Sequence, residues 1–235
     1  MSNWAAQIRS TLRAFKFKYL GQGFSESGED LIARYLIGKT KGKYVDIGAG
    51  NPVVGSNTFL FYKMGWDGVA VDPNMKIRMA WKMVRPRDVF LPVAVGSSSG
   101  QALFYEYEND LRSTTSQQVH KYYEENSLEY NSTLVEQRTL TDIFETYVKD
   151  ESRVFLSIDV EGQELEVLQS LDFKKFTPSV IAIENWNLPW DRTNKNDPGS
   201  FLEKQNYKLT AYSGLTAFYV DSKEVEKLLA GRPKI

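Results

Sequence analysis

What most constrains the fold of this chain is an alternation along its length: short apolar runs of strand type recur between stretches of helical periodicity. KYVDIG at 43–48 runs into a glycine turn, 56–64 reads as a helix ended by Gly65, and 69–72 is a strand stopped by Pro73. The spacing then predicts a helix over 75–84, a strand over 89–95 (VFLPVAV), a hairpin arm over 102–107 and a polar, irregular stretch over 108–138. A helix over 140–147 starts behind Thr139, a residue type that caps exposed N–H groups. Strands at 154–159 and 180–184 (VIAIE) frame a helix at 164–171. Residues 208–212 and 217–220 flank Ser213-Gly214 as a closing hairpin, and 223–230 form a last short helix. Apolar strands alternating with amphipathic helices require a mostly parallel sheet covered on both faces, an α/β fold. No repeat, low-complexity tract or linker divides the 235 residues, so one domain is expected over 1–235.

In such sheets ligands bind beyond the carboxyl ends of the strands. The first, second, fourth and fifth expected strands carry an acid at or near that end: Asp46, Asp72, Asp159 and Glu184. Any one of them is explained by a polar strand terminus. Four on one rim suggest a site.

Composition removes several alternatives. The chain has no cysteine and one histidine, His120, which excludes thiolate chemistry and a two-histidine metal site within one chain. Its formal net charge of −1 lacks the basic excess of a nucleic-acid surface. No apolar run reaches the roughly 18–20 residues of a membrane span, and the start lacks the apolar core of a signal peptide. A soluble, cytoplasmic protein is expected. Residues 3–20 place Trp4, Ile8, Leu12 and Phe15 on one helical face, with Arg9, Arg13 and Lys16 elsewhere. This N-terminal helical segment within 1–36 either packs on the domain or offers a peripheral membrane or partner contact.

VDIGAG, Val45 to Gly50, is a strand running into a glycine turn, where glycine allows positive φ and close approach of a ligand. Asp72 follows Gly50 by 22 residues, a spacing that suits a carboxylate accepting ribose hydroxyls. Both a dinucleotide and S-adenosylmethionine (SAM) fit this. Two features favour SAM. Asp46 precedes the glycines, where a carboxylate would repel a pyrophosphate, and the next helix opens with Ser56-Asn57-Thr58 instead of further glycines.

Three segments carry a resemblance: FSESGEDLIARYL (24–36), YVDIGAGNPVVGSNTFLFYKMGWDGVAVDPN (44–74) and FLSIDVEGQELEVLQSLDF (155–173). Together they resemble the FkbM family of SAM-dependent methyltransferases. The chain departs from the usual family pattern at Glu26 (usually Gln), at Gly50-Asn51 (usually Asn-His) and at Asp72 (usually Glu). The resemblance implies a class I methyltransferase, Rossmann-like fold with a mostly parallel seven-stranded sheet and a C-terminal antiparallel hairpin. It implies a hydroxyl acceptor, commonly on a sugar or a polyketide. By matching position, Asp46, Gly48 and Gly50 would line the SAM loop with Asn57 beside them. Asp72 would take the ribose, Ala94 and Val95 would lie near adenine, and Ser25 and Glu29 would close over the methionine end. Ser25 and Glu29 equally suit the cap of the helix that follows them.

Methyl transfer to an alcohol needs the hydroxyl positioned and its proton removed, by a base or with a cation that lowers the hydroxyl's pKa. Asp159 and Glu184-Asn185 end strands expected to be neighbours, which lie about 4.8 Å apart. Their oxygens are hard donors suited to Mg²⁺, with Ca²⁺ or Mn²⁺ as alternatives. The arrangement resembles the metal site of catechol-type O-methyltransferases. The plain alternative is that these groups hold their own loops. Glu161 is a candidate base or further ligand, Glu164 a dipole-stabilised first-turn residue and Glu166 a solvated one. His120, in the candidate lid 108–138, is a second candidate base. Trp186 and Trp190, in the loop 185–200, suit stacking on a sugar acceptor. Competing functions are an NAD(P)-dependent oxidoreductase and a SAM-binding protein without catalysis. The acceptor and the oligomeric state, a homo-oligomer included, are left open.

Overall fold

A computed structural model describes residues 23–38, 41–107, 113–149, 153–185 and 197–230. The N-terminal segment 3–20, Trp186 and Trp190 lie outside the described residues.

Seven strands form the main sheet: β1 (Lys43–Ile47), β2 (Asp67–Val71), β3 (Val89–Leu91), β7 (Val154–Ile158), β8 (Val180–Glu184), β9 (Tyr207–Ser213) and β10 (Thr216–Asp221). Their spatial order is β3-β2-β1-β7-β8-β10-β9. The first five are mutually parallel, and the β9–β10 hairpin closes the sheet antiparallel to β8. This is the Rossmann-like arrangement of class I methyltransferases. The parallel strands read as continuous apolar runs because helices cover both faces. On one face Val45, Ile47, Leu156 and Ile183 join Leu140, Val167 and Leu202, from α5 (Leu140–Ile143), α6 (Glu164–Gln169) and α7 (Pro198–Lys204). On the other, Tyr44, Phe155 and Ala182 meet Ala33, Phe61 and Tyr62, from α1 (Glu29–Ile37) and α2 (Phe59–Lys63). The last helix, α8 (Ser222–Ala230), follows β10 directly.

The expected strand 89–95 is instead two. Pro92 has no N–H to give to a ladder, and there the chain leaves the main sheet. It resumes as β4 (Ala94–Val95) in a second sheet, ordered β4-β6-β5. The stretch 108–138, expected to be irregular, is also corrected: it holds α4 (Gln117–Glu125) and β6 (Tyr130–Arg138). β6 pairs along its whole length with β5 (Gly100–Tyr107). Most of β6 is exposed, so it shows no apolar alternation. Its pairing partner defines it. The remaining short helix, α3 (Arg78–Val84), follows a 3-10 turn at Met75–Ile77 and buries Trp81 against Ala49 and Ala70.

Candidate active site

The carboxyl ends of β1, β2, β7 and β8 open on one cleft of about 1040 Å³. A smaller depression of about 420 Å³, near Ser99 and Arg138, lies on the second sheet. In the cleft the chain steps from strand to turn by backbone hydrogen bonds. Gly48 N and Ala49 N donate to Val71 O at 2.9 and 3.2 Å, and Asp159 N donates to Ile47 O at 2.9 Å. The turn after β1 therefore touches the turns after both neighbouring strands.

Gly48 and Gly50 have positive φ, +76° and +50°. A Cβ on Gly48 would lie 1.6 Å from the carbonyl oxygen of Asp159, so the turn and the acid-bearing loop meet backbone to backbone. Gly50 has no neighbouring atom within 4 Å of its Cβ position and leaves open room in the cleft. Asp72 secures this turn. Its carboxylate accepts from Gly50 N at 2.9 Å and Asn74 N at 2.8 Å, and the residue lines the cleft.

Asp46 is placed differently from the other strand-end acids. β1 ends one residue later, and the two-residue period of a strand turns Asp46 away from the cleft, to the face carrying α2. There it is buried and its carboxylate accepts from the Thr58 hydroxyl at 2.5 Å. Burial lifts its pKa from 3.8 to about 6, opposed by the hydrogen bond from Thr58 and the charge of Arg85. Arg85 is itself buried. It pairs with Asp88 at 2.6 Å and donates to Thr58 Oγ1 (2.9 Å), Ser56 Oγ (3.2 Å) and Pro52 O (3.4 Å). Trp81 Nε1 donates to Gly50 O at 2.8 Å. This buried network holds the glycine loop from behind. Asn57 bridges the two sides: it lines the cleft and donates to Ser157 Oγ at 3.1 Å.

The segment before α1 forms another wall. Ser25 and Glu29 line the cleft and also order their own turn. Ser25 Oγ donates to Asp30 Oδ1 at 2.9 Å, and Glu29 Oε2 accepts from Ser27 N at 2.8 Å. Lining and capping are thus both observed. Ala94 and Val95 lie in the cleft with Val93, Ile77 and Phe104, an apolar patch suited to a planar ring.

On the opposite side, Asp159, Glu161 and Glu184 each bring a carboxylate oxygen within 4.8 Å of the other two. Solvent reaches Asp159 from the cleft, while protein surrounds its other sides. Desolvation raises its pKa well above the carboxylate range, and the like charges of Glu184, Glu161 and Glu164 add to this. Glu161 holds a left-handed backbone, φ +55°, unusual for a side-chain-bearing residue. Three contacts pin it there. Thr114 Oγ1 donates to Glu161 O at 2.9 Å, Thr115 Oγ1 donates to Gln163 Oε1, and Glu164 Oε1 accepts from Gly162 N (2.9 Å) and Val160 N (3.3 Å). Glu164 sits in the first turn of α6 as expected, and it is also a buried clamp on the Asp159–Gly162 turn.

Besides Asp46, two further candidates stand apart from the cleft lining. His120 stacks on Tyr105 with ring centroids 3.6 Å apart, and its Nδ1 shares a 2.7 Å hydrogen bond with the Tyr107 hydroxyl. α4 projects it into an aromatic cluster on the second sheet. Asn185 is buried behind the rim, its N–H donating to Leu215 O at 2.8 Å. Sequence reading missed Thr114, Thr115, Phe104 and the hairpin tip Gly214–Thr216, all cleft-lining. The tip was derivable: an antiparallel β10 begins where β8 ends, Thr216 opposite Glu184.

The model of the family described as "Methyltransferase FkbM domain" matches residues 46–211. No curated protein matches by sequence. Among solved structures the chain is similar to methyltransferase FkbM from Methylobacillus flagellatus KT, at 15% identity and TM-score 0.49, covering 92% of this chain and 60% of that one. It is also similar to precorrin-6y C5,15-methyltransferase from Geobacter metallireducens GS-15, at 15% identity and TM-score 0.43, covering 81% and 85%. The chain thus spans 60% of the length of the first of these proteins. The family match covers well over half of the sequence and sets the oxidoreductase reading aside. The chain belongs to the FkbM methyltransferase family.

Proposed function

We propose that this protein is a SAM-dependent O-methyltransferase that acts on a hydroxyl of a sugar, free or within a glycan or glycosylated metabolite. The observation that carries the reading is the backbone contact between Gly48 and Asp159: the glycine turn and the acid cluster face one cleft at van der Waals range. The residues fit SAM. Positive-φ glycines give it open backbone, Asp72 lines the cleft where a carboxylate suits ribose hydroxyls, and Ile77, Val95 and Phe104 offer an apolar slot. When bound, SAM supplies an electrophilic methyl group on a sulfonium centre.

Asp159 and Glu161 would then orient the acceptor hydroxyl and take its proton. A carboxylate with a raised pKa is a stronger base than an ordinary one, which suits an alcohol. The other route is a divalent cation held by Asp159, Glu161 and Glu184: its charge would relieve their mutual repulsion, remove the raised basicity and acidify the hydroxyl directly. All three are hard oxygen donors, as Mg²⁺ or Ca²⁺ requires. Glu161 would be the third ligand where Asn185 was expected, since Asn185 is buried and does not line the cleft.

The test is formation of S-adenosylhomocysteine from SAM with a panel of sugars carrying vicinal diols. Turnover should depend on the acceptor and fall by roughly 10²–10⁴-fold in Asp159→Asn. EDTA should abolish it and Mg²⁺ restore it. Undiminished turnover of Asp159→Asn in chelator would remove both base and cation from the account.

A further inference from the structure

The helical stretch on the Asp72 side of the cleft carries a second surface. From Pro73 to Arg87 the sequence PNMKIRMAWKMVRPR contains no acid. Asn74 and Ile77 line the cleft, and Trp81 is buried. Met75, Met79 and Met83 are 54%, 72% and 75% exposed. Met79 and Met83, spaced by four on α3, share a side, and at about 100° per residue Arg78 and Lys82 flank them on one edge. Met75 and Lys76 stand on the 3-10 turn that leads into the helix. All three cations are exposed. Lys76 pairs with Glu106 at 3.1 Å, while Arg78 and Lys82 have no ion pair among the described residues.

An ordinary solvated helix face carries charges of both signs. This stretch carries three long apolar side chains, and every charged residue of 73–87 is basic. We propose that it docks on an anionic membrane surface, the methionines entering the headgroup boundary and the basic side chains staying among the lipid phosphates. Methionine is flexible and unbranched and adapts to a disordered partner. Lysine and arginine lay their stems along apolar surroundings while their heads remain solvated. Apolar area plus attraction to anionic lipid is what holds an interfacial helix. Among the described residues no helix is long and apolar enough to cross a membrane, so this is contact from the side. Docking would set the cleft rim at Asn74 and Ile77 beside the bilayer, within reach of an amphiphilic acceptor. That consequence rests on the proposed function; the docking does not.

The full chain should float with vesicles of phosphatidylcholine and phosphatidylglycerol, and not with phosphatidylcholine alone. Salt should weaken the binding. Arg78→Glu with Lys82→Glu should lower partitioning at least about 25-fold, at roughly five-fold per lost cation. Met79→Ser with Met83→Ser should lower it with an unchanged melting temperature; the glutamine pair serves if the serine pair melts early. Equal binding to both vesicle types would overturn the proposal. So would binding that survives both double variants, or sedimentation showing that the methionines join two copies of the chain without lipid.

Discussion

The carbonyl oxygen of Asp159 occupies the space a side chain on Gly48 would need, 1.6 Å from the Cβ position. The backbone of β1's turn and that of the acid loop are thus in direct contact, at a residue with φ +76°. Gly48→Ala should cost about 1–3 kcal/mol in backbone strain alone, with more from the displaced Asp159 loop. Gly50→Ala, at φ +50° but with open space around its Cβ, should carry backbone strain of about 1 kcal/mol without the clash, and lose cofactor affinity as well. Melting curves with and without S-adenosylhomocysteine separate the two effects.

Asp72→Ala should weaken S-adenosylhomocysteine binding about ten-fold or more. It removes the proposed ribose acceptor and frees Gly50 N and Asn74 N at once, and a hydrogen bond to a charged group contributes roughly 1.5–3 kcal/mol. Calorimetric titration reads this directly; unchanged affinity would place the ribose elsewhere.

Glu164 is the clamp of the D-x-E-G-x-E block. Glu164→Ala leaves Val160 N and Gly162 N without their acceptor, at a cost of about 1–3 kcal/mol, and should release Glu161 from its strained backbone. Turnover should fall with stability. Glu164→Gln, which keeps an amide oxygen, should retain most of both.

Asp46 makes stability depend on pH. Its folded pKa is about 6 against 3.8 when free, so between these values the folded state holds a proton the unfolded state has lost. Its contribution is full below pH 3.8, declines as pH rises to about 6, and is flat above, roughly 3 kcal/mol in all. Asp46→Asn should flatten the dependence of melting temperature on pH across that window. Parallel curves for the two proteins would count against a buried, protonatable Asp46.

The strands and their rim were legible because the main sheet is buried on both faces and its sequence is nearly all apolar there. Asp72, Asp159 and Glu184 followed from one rule about strand ends. Asp46 escaped it because a one-residue offset turns a strand side chain to the opposite face. The second sheet was not legible: β6 lies mostly in water, and Pro92 breaks what reads as one strand. The roles of Arg85 and Thr114 depend on contacts across 29 and 47 residues of sequence, which no local pattern encodes. Thr114 and Arg85 brace the site from other elements.

The central claim is that the cleft beside Gly48 and Asp159 binds SAM. Thermal unfolding with S-adenosylhomocysteine, and separately with NAD⁺, tests it most directly. At about 100 times its Kd a ligand stabilises by about 2.7 kcal/mol, and a chain of this size gains roughly 2–4 °C per kcal/mol. S-adenosylhomocysteine should therefore raise the melting temperature by about 5–10 °C, and NAD⁺ should leave it unchanged. No shift with S-adenosylhomocysteine, or a shift with NAD⁺ alone, would contradict the account.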